Sequence, residues 1–142
     1  MRTNLPVTQQ EYDYPGDELL MSTTDAQGNI THCNAAFMRV SGFTFEELIG
    51  QPHNIVRHPD MPPEAFKDLW GTVGHGRSWV GMVKNRRKDG DHYWVHANVT
   101  PLMEGGKPRG YMSVRAKPTR AQIDQAEALY RRMRLGMPSV CL

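Results

Sequence analysis

Three extended segments in the second half of the chain place the strongest constraint on its fold. They span residues 78–86, 92–103 and 110–116, and each is rich in residue types typical of strands. Their connections contain Lys88-Asp-Gly-Asp91 and Glu104-Gly-Gly-Lys107, which carry the glycines that tight hairpin turns require. We therefore predict an antiparallel meander of three strands.

The residues before this meander predict a hairpin followed by a short helix. Residues 19–24 and 30–33 are strand candidates, and Asp25-Ala-Gln-Gly-Asn29 between them has the composition of a turn. Asn34 is placed to cap a helix that ends at Ser41. This hairpin brings the expected number of strands to five.

Further helices are indicated on both sides of the meander. Thr44 and Glu47 have the spacing of a capping box. Pro63 suits the first turn of another helix that ends near Gly74, and residues 120–135 carry an apolar stripe at helical spacing. The expected fold class is α+β: an antiparallel five-stranded sheet with short helices on one face.

Composition restricts the class of protein. The 142 residues suit one domain, and a formal charge of +2 is too balanced for nucleic-acid binding to be expected. Cys33 and Cys141 lie far apart and form neither a disulfide framework nor a CxxC motif, which favours a reducing cytoplasm. We expect neither a signal peptide nor a membrane span, because no sufficiently long apolar stretch occurs.

The chain divides into three expected regions. Residues 1–18 are polar, contain Pro6 and Pro15, and predict an extended or mobile N-terminal arm. Residues 19–118 should form the folded domain. Residues 119–142 should form a C-terminal helix and a linker.

The stretch His53-Asn-Ile-Val-Arg-His-Pro-Asp-Met-Pro62 is the most unusual cluster of polar side chains. Pro59 and Pro62 prevent a long helix here, so the stretch is predicted to be mostly loop. A metal site, a catalytic cluster and a solvated turn are three interpretations. A fourth is a ligand clamp, in which Arg57 offers a planar fork for an anion while the histidines stack on or donate to an aromatic ring.

The predicted sheet offers a wall for a flat ligand. Trp79, Gly81, Val83 and Asn85 share one strand face by the two-residue alternation, and Tyr93, Val95, Ala97 and Val99 share another. If these faces point inward, Asn85 is a polar group on an apolar wall, and Gly81 and Ala97 leave space. Alternatively, Asn85 begins the hairpin turn and faces water.

Several motifs resemble those of PAS domains. They are Thr24-Asp25, Asn34-Ala-Ala-Phe37, Ser41-Gly-Phe-Thr-Phe-Glu-Glu-Leu-Ile-Gly50, Arg87-Lys-Asp-Gly90 and Tyr93-Trp94. More narrowly, QPHNIVRHPDMP, KNRRKDGDHYWVHAN and GYMSVRA are similar to the N-terminal flavin-binding PAS domain of bacterial aerotaxis transducers, over roughly residues 7–135.

The resemblance implies a cytoplasmic redox sensor that holds FAD without catalytic turnover and reports to a HAMP and chemotaxis signalling module of a membrane-anchored receptor. It also implies a homodimer. A cofactor-free PAS docking module and a haem-binding or other small-ligand PAS sensor are the alternatives. No catalytic residue or metal ligand is expected. The expected cofactor contacts are Asn34, His53, Arg57, His58, Asp60, Phe66, Trp70, Trp79, Asn85 and Arg115.

The chain also resembles light-sensing LOV domains, which are flavin-binding members of the same superfamily. The position of their photoreactive cysteine is taken here by His53, and the glutamine on their last strand aligns with Arg115. Cys33 lies on the second predicted strand. A cysteinyl adduct and an amide switch of the LOV kind are therefore not expected.

Overall fold

Five antiparallel strands form a single sheet in the computed structural model, which describes residues 4–136. The strands are β1 (Leu20–Asp25), β2 (Ile30–Cys33), β3 (Trp79–Arg86), β4 (His92–Glu104) and β5 (Lys107–Ala116). Their order across the sheet is β2-β1-β5-β4-β3, so the first hairpin pairs with the last strand of the meander. The predicted fold class is confirmed.

The third strand of the meander begins earlier than the sequence indicated. We expected it to begin at Gly110, whereas β5 begins at Lys107 and pairs with Glu104. Gly105 and Gly106 both have positive φ, of 59° and 78°, as in a two-residue hairpin turn. Such a turn lets pairing continue up to the turn itself.

Three of the four α-helices in the described residues begin at a side-chain cap, whereas the third in chain order begins with a proline. Four α-helices and a 3₁₀ helix are present in the described part of the chain: α1 (Ala35–Ser41), α2 (Phe45–Leu48), the 3₁₀ helix (His53–Val56), α3 (Pro63–Val73) and α4 (Arg120–Arg134). Asn34 caps α1, and Thr44 and Glu47 form the predicted capping box of α2. Thr119 and Gln122 form a second capping box on α4.

The register of β3 on β4 confirms the predicted inner face of the sheet. Trp79 pairs with Val99, Gly81 with Ala97, Val83 with Val95, and Asn85 with Tyr93. Directly opposed residues of an antiparallel pair point to the same side, so these two sets form one continuous surface. Buried side chains of α1 to α3 pack on this side of the sheet, and those of α4, with Trp94, extend the core to the other side.

The last helix covers part of the opposite face of the sheet. Tyr130 of α4 stacks on Trp94 with ring centroids 6.2 Å apart, and its hydroxyl donates to the carbonyl of Met82 over 2.6 Å. Of the predicted apolar stripe, Ile123, Ala126 and Tyr130 are buried, whereas Leu129 is 41% exposed. None of the helices within residues 4–136 combines the length and apolar character needed to cross a bilayer.

Residues 4–18 lie along the folded domain. The amide of Thr8 donates to Gly90 over 2.9 Å, the amide of Tyr12 donates to His92 over 2.7 Å, and the Tyr14 hydroxyl donates to Trp94 over 2.6 Å. These hydrogen bonds attach the arm to the domain. Cys141 lies outside the described residues.

Candidate functional site

A cavity of about 280 Å³ lies between the inner face of the sheet and the helical side of the domain. Strands β1, β3, β4 and β5 form one wall, and α3 together with the 3₁₀ helix forms the other. The lining residues are Ser22, Thr24, Gln27, Pro52, His53, Asn54, Val56, Arg57, Phe66, Leu69, Trp70, Val83, Asn85, Ala97, Val99, Tyr111, Ser113 and Arg115.

Most of the residues expected at a ligand lie around this cavity. Those that line it are His53, Arg57, Phe66, Trp70, Asn85 and Arg115. They come from the 3₁₀ helix and the residue after it, from α3, and from two strands that are not adjacent in the sequence. The fold therefore assembles one site from four separate parts of the chain.

Asn34 and Trp79 lie outside the cavity because each is engaged elsewhere. The Asn34 side chain caps α1, accepting from the amides of Phe37 and Met21 and donating to Leu19. The indole of Trp79 donates to Asp68 over 2.9 Å. A Cβ added at Gly81 would lie only 2.3 Å from Cη2 of Trp79, so this ring occupies the space that we expected Gly81 to leave open.

His58 and Asp60 also lie outside the cavity, on the other side of strand β3. His58 is only 1% exposed and packs edge-on against His92, with ring centroids 6.0 Å apart. Asp60 accepts from Nζ of Lys84 over 2.9 Å. Lys84 precedes the cavity residue Asn85, so by alternation it points to the opposite face of the sheet.

The loop that carries the polar cluster is therefore divided by the edge of the sheet. The backbone of Arg57 forms an antiparallel bridge with Asn85 on strand β3. His53, Asn54, Val56 and Arg57, before and at this bridge, line the cavity, whereas His58 and Asp60 continue around the edge. A single clamp made of all four polar side chains does not form.

At the inner end of the cavity, Arg115 is held by neutral groups. Its Nη2 donates to Ser22 over 2.9 Å and to Nε2 of His53 over 2.7 Å, and the guanidinium lies 5.0 Å from the centre of the Phe37 ring. Burial lowers the pKa of Arg115 to about 10, which leaves it charged at neutral pH. Burial, and secondarily the charge of Arg115, lower the pKa of His53 to about 3.

Arg57 lies against an aromatic ring of the opposite wall. Its guanidinium carbon is 3.8 Å from the centre of the Phe66 ring, which is a cation–π arrangement. Its Nε and the side-chain oxygen of Asn54 are buried and have no hydrogen-bond partner within residues 4–136. Both belong to residues that line the cavity.

Sequence reasoning missed several polar residues of the wall. Ser22 and Thr24 line the cavity from β1, and Tyr111 and Ser113 line it from β5 together with Arg115. They follow the same two-residue alternation that placed Asn85 on the inner face. Applying that alternation to β1 and β5 would have found them.

The arrangement is suited to binding a polar aromatic ligand. Apolar walls face each other across the cavity, and its inner end offers amide, hydroxyl, imidazole and guanidinium groups. Within residues 4–136, no group of three or more His, Cys, Asp and Glu side chains is placed to hold a metal ion.

The sequence is similar to those of a receptor and a regulatory protein. The chain is 54% identical to the aerotaxis receptor of Escherichia coli over 133 residues, which are 94% of this chain and 26% of the receptor. It is 32% identical to the nitrogen fixation regulatory protein of Klebsiella pneumoniae over 83 residues, which are 58% of this chain and 17% of that protein. The chain thus spans about a quarter or less of the length of these relatives.

Solved structures show the same fold. One structure comes from a flavin-analogue study of the light-oxygen-voltage domain mechanism. It has a TM-score of 0.68 at 20% identity, and the match covers 84% of this chain and 89% of that one. The dark structure of the blue-light photoreceptor Aureochrome1 LOV also has a TM-score of 0.68, at 21% identity, covering 82% and 86%. The profile of the PAS fold matches residues 30–115, and the chain therefore belongs to the PAS family.

Proposed function

We propose that this chain is the FAD-binding sensor domain of a redox receptor for aerotaxis and that it acts without catalytic turnover. The cavity carries the proposal, because its apolar walls enclose a polar inner end formed by Asn85, Arg115 and His53. The similarity to the E. coli aerotaxis receptor supports the signalling context. The proposed partners are a HAMP and chemotaxis signalling module on the cytoplasmic side and a second copy of the chain.

The residues present fit a flavin ring. The amide of Asn85 offers a donor and an acceptor, and Arg115 offers only donors, which suits the alternating groups at a flavin ring edge. Arg57 and Asn54 also line the cavity, and the Nε of Arg57 and the side-chain oxygen of Asn54 have no hydrogen-bond partner within residues 4–136. A shift of these side chains that brings the two buried atoms to a ligand would remove a desolvation cost from the protein.

The cavity suits the ring system that all flavins share, and the proposed preference for FAD depends on the residues at its mouth. Its volume of about 280 Å³ lies at the lower limit of small-molecule sites, so it suits a fused ring system and not a whole dinucleotide. The remainder of FAD would then lie at the cavity mouth. There Trp70 is 40% exposed and packs edge-on against Tyr111, so it offers an aromatic surface to a second ring.

A bound flavin supplies reversible electron transfer, and the protein's part is to register the change in charge. Asn85 can exchange donor and acceptor roles by turning its amide, whereas Arg115 can only donate. Beside Asn85, Lys84 points to the other face and bonds Asp60, whose carbonyl accepts from Arg134 of α4 over 2.6 Å. A coupling of about 1–3 kcal/mol between cavity and helix is sufficient to bias a signalling equilibrium.

Cofactor analysis of the purified protein tests the proposal. We expect yellow protein that releases FAD on heating, and ligand-free protein that binds FAD more tightly than FMN or riboflavin in calorimetry. Steady-state oxidase and reductase assays should show no turnover. Haem alone, FMN alone, or failure to take up added FAD would contradict the proposal, and the last result would favour a cofactor-free docking module.

A further inference from the structure

The side chain of Asn4 is attached to the segment that lines one end of the cavity. Asn4 is 8% exposed, and its Nδ2 donates to the carbonyls of Asn54 over 3.0 Å, Ile55 over 3.3 Å and Arg57 over 2.8 Å. An amide nitrogen has only two hydrogens, so at least one of them is shared between two of these oxygens. One side chain thus gathers three backbone carbonyls.

These carbonyls come from the end of the 3₁₀ helix (His53–Val56) and the residue that follows it. The last carbonyls of a helix lack donors from within the helix. The carbonyl of Asn54 also accepts from the amide of Arg57 over 3.0 Å. Asn4 supplies such a donor from a distance of about 50 residues in the sequence. The side chains of His53, Asn54 and Arg57 on the same segment line the cavity, whereas Asn4 does not.

The position of Asn4 is fixed by the part of the arm that follows it. Nε of Arg86, on strand β3, donates to the carbonyl of Pro6 over 2.8 Å, and the amide of Thr8 donates to Gly90 over 2.9 Å. Gly90 has φ of +98°, and a Cβ there would lie 2.9 Å from the Pro6 oxygen. The arm therefore approaches the β3–β4 turn closely, as a glycine at that position permits.

We propose that Asn4 is a positioning residue of the ligand site: by holding residues 54–57, the N-terminal arm sets how tightly the cavity retains its ligand. The inference rests on the proposed function for the identity of that ligand as a flavin. Because coupling between two sites is reciprocal, ligand binding must in turn strengthen the attachment of the arm.

The substitution Asn4→Asp tests the attachment of Asn4 to residues 54–57 with almost no change in side-chain shape. It replaces the Nδ2 donor with a carboxylate oxygen that repels the three carbonyls. We expect the amides of Ile55 and Arg57 to exchange hydrogen at least fivefold faster in the ligand-free variant, while exchange in strands β4 and β5 is unchanged. We also expect the dissociation constant for FAD to rise about tenfold, which corresponds to about 1.4 kcal/mol.

Two controls separate a positioning role from a general loss of structure. Gln9→Ala changes an exposed side chain of the same arm and should alter neither quantity. Asn4→Ser retains one hydroxyl donor and should lie between the wild type and Asn4→Asp. In wild-type protein, FAD should slow exchange at the amides of Thr8 and Tyr12, and this effect should disappear in Asn4→Asp.

The outcomes distinguish the positioning role of Asn4 from the proposed function. If wild-type protein takes up no flavin, the proposed function fails, and exchange at Ile55 and Arg57 in ligand-free protein still tests whether Asn4 holds residues 54–57. Unchanged exchange at these amides in Asn4→Asp overturns the positioning role. Faster exchange with an unchanged dissociation constant overturns the role of Asn4 in ligand retention.

Discussion

Nη2 of Arg115 donates to Nε2 of His53 over 2.7 Å at the inner end of the cavity. A guanidinium group has no acceptor, so Nε2 of His53 must accept, and the neutral ring carries its proton on Nδ1. Burial, together with the neighbouring charge, lowers the pKa of His53 to about 3. At physiological pH, His53 therefore acts as a neutral acceptor that orients Arg115, and not as a second cation.

The buried histidines make stability depend on pH below about 6.5. Burial lowers the pKa of His53 to about 3, and burial followed by the Lys84 charge lowers that of His58 to about 4. Both pKa values return to about 6.5 on unfolding, so the unfolded chain binds more protons in this range. The free energy of unfolding in urea should decrease between pH 7.5 and pH 5.

A matched variant tests the origin of this effect. Carboxylates with lowered pKa values act in the same direction, but only from about pH 4.5 downward. His58→Gln should therefore reduce the loss of stability between pH 7.5 and pH 5. An equal free energy of unfolding at the two pH values would contradict the assignment of neutral buried imidazoles.

A methyl group at Gly81 should displace the Trp79 ring. The added Cβ would lie 2.3 Å from the ring, so Gly81→Ala must break the bond from the indole to Asp68 or shift the strand. We expect a lower melting temperature and a red shift in tryptophan fluorescence. Gly71→Ala is the control, since a Cβ at Gly71 has nothing within 4 Å. Equal effects of the two substitutions would contradict this account.

The parts of the fold that depend on short sequence patterns were predictable. The capping box of Thr44 and Glu47 and the glycine-containing turns specify local geometry, and the alternation around Asn85 identified the inner face of the sheet. Each of these features is determined by residues that are close in the sequence. The α+β architecture and the apolar inner face of the sheet that carries Asn85 followed from them.

The composition of the site was less predictable because it depends on contacts between distant segments. Nothing in the loop sequence indicates that its backbone bridges Asn85 at Arg57, and this bridge sends His58 and Asp60 to the opposite side of the sheet. The attachment of Asn4 to residues 54–57 likewise joins segments about 50 positions apart. Such contacts form only when the sheet has assembled, so the local sequence does not indicate them.

Arg57 and His53 should differ in what they contribute to the ligand-free protein. Arg57→Ala removes a cation–π contact worth about 0.5–1 kcal/mol, so it should weaken FAD binding with little loss of stability. His53→Ala leaves a donor of buried Arg115 without its acceptor, so it should lower the melting temperature of ligand-free protein as well. Calorimetry and thermal unfolding of both variants check this difference, and equal destabilisation by the two substitutions would contradict it.

Blue light should not produce a cysteinyl adduct. Cys33 is buried on strand β2 and does not line the cavity, and burial raises the pKa of its thiol, which disfavours the reactive thiolate. Absorbance spectra of the flavin-loaded protein should show no bleaching that recovers in the dark. A reversible bleach that disappears in Cys33→Ala would contradict this expectation.

Asn85 should be the side chain through which the redox state of the ligand is registered. It is 4% exposed, it lines the cavity, and its neighbour Lys84 bonds Asp60 beneath α4. Oxidised and anaerobically reduced protein should therefore differ in amide exchange along β3 and in the last turn of α4. Asn85→Ser, if it retains FAD, should lose most of this difference, whereas Asn98→Ser, on the outward face of β4, should keep it. A full redox-dependent difference in Asn85→Ser would exclude Asn85 and make Arg115, the buried cation on the sheet wall, the next residue to substitute.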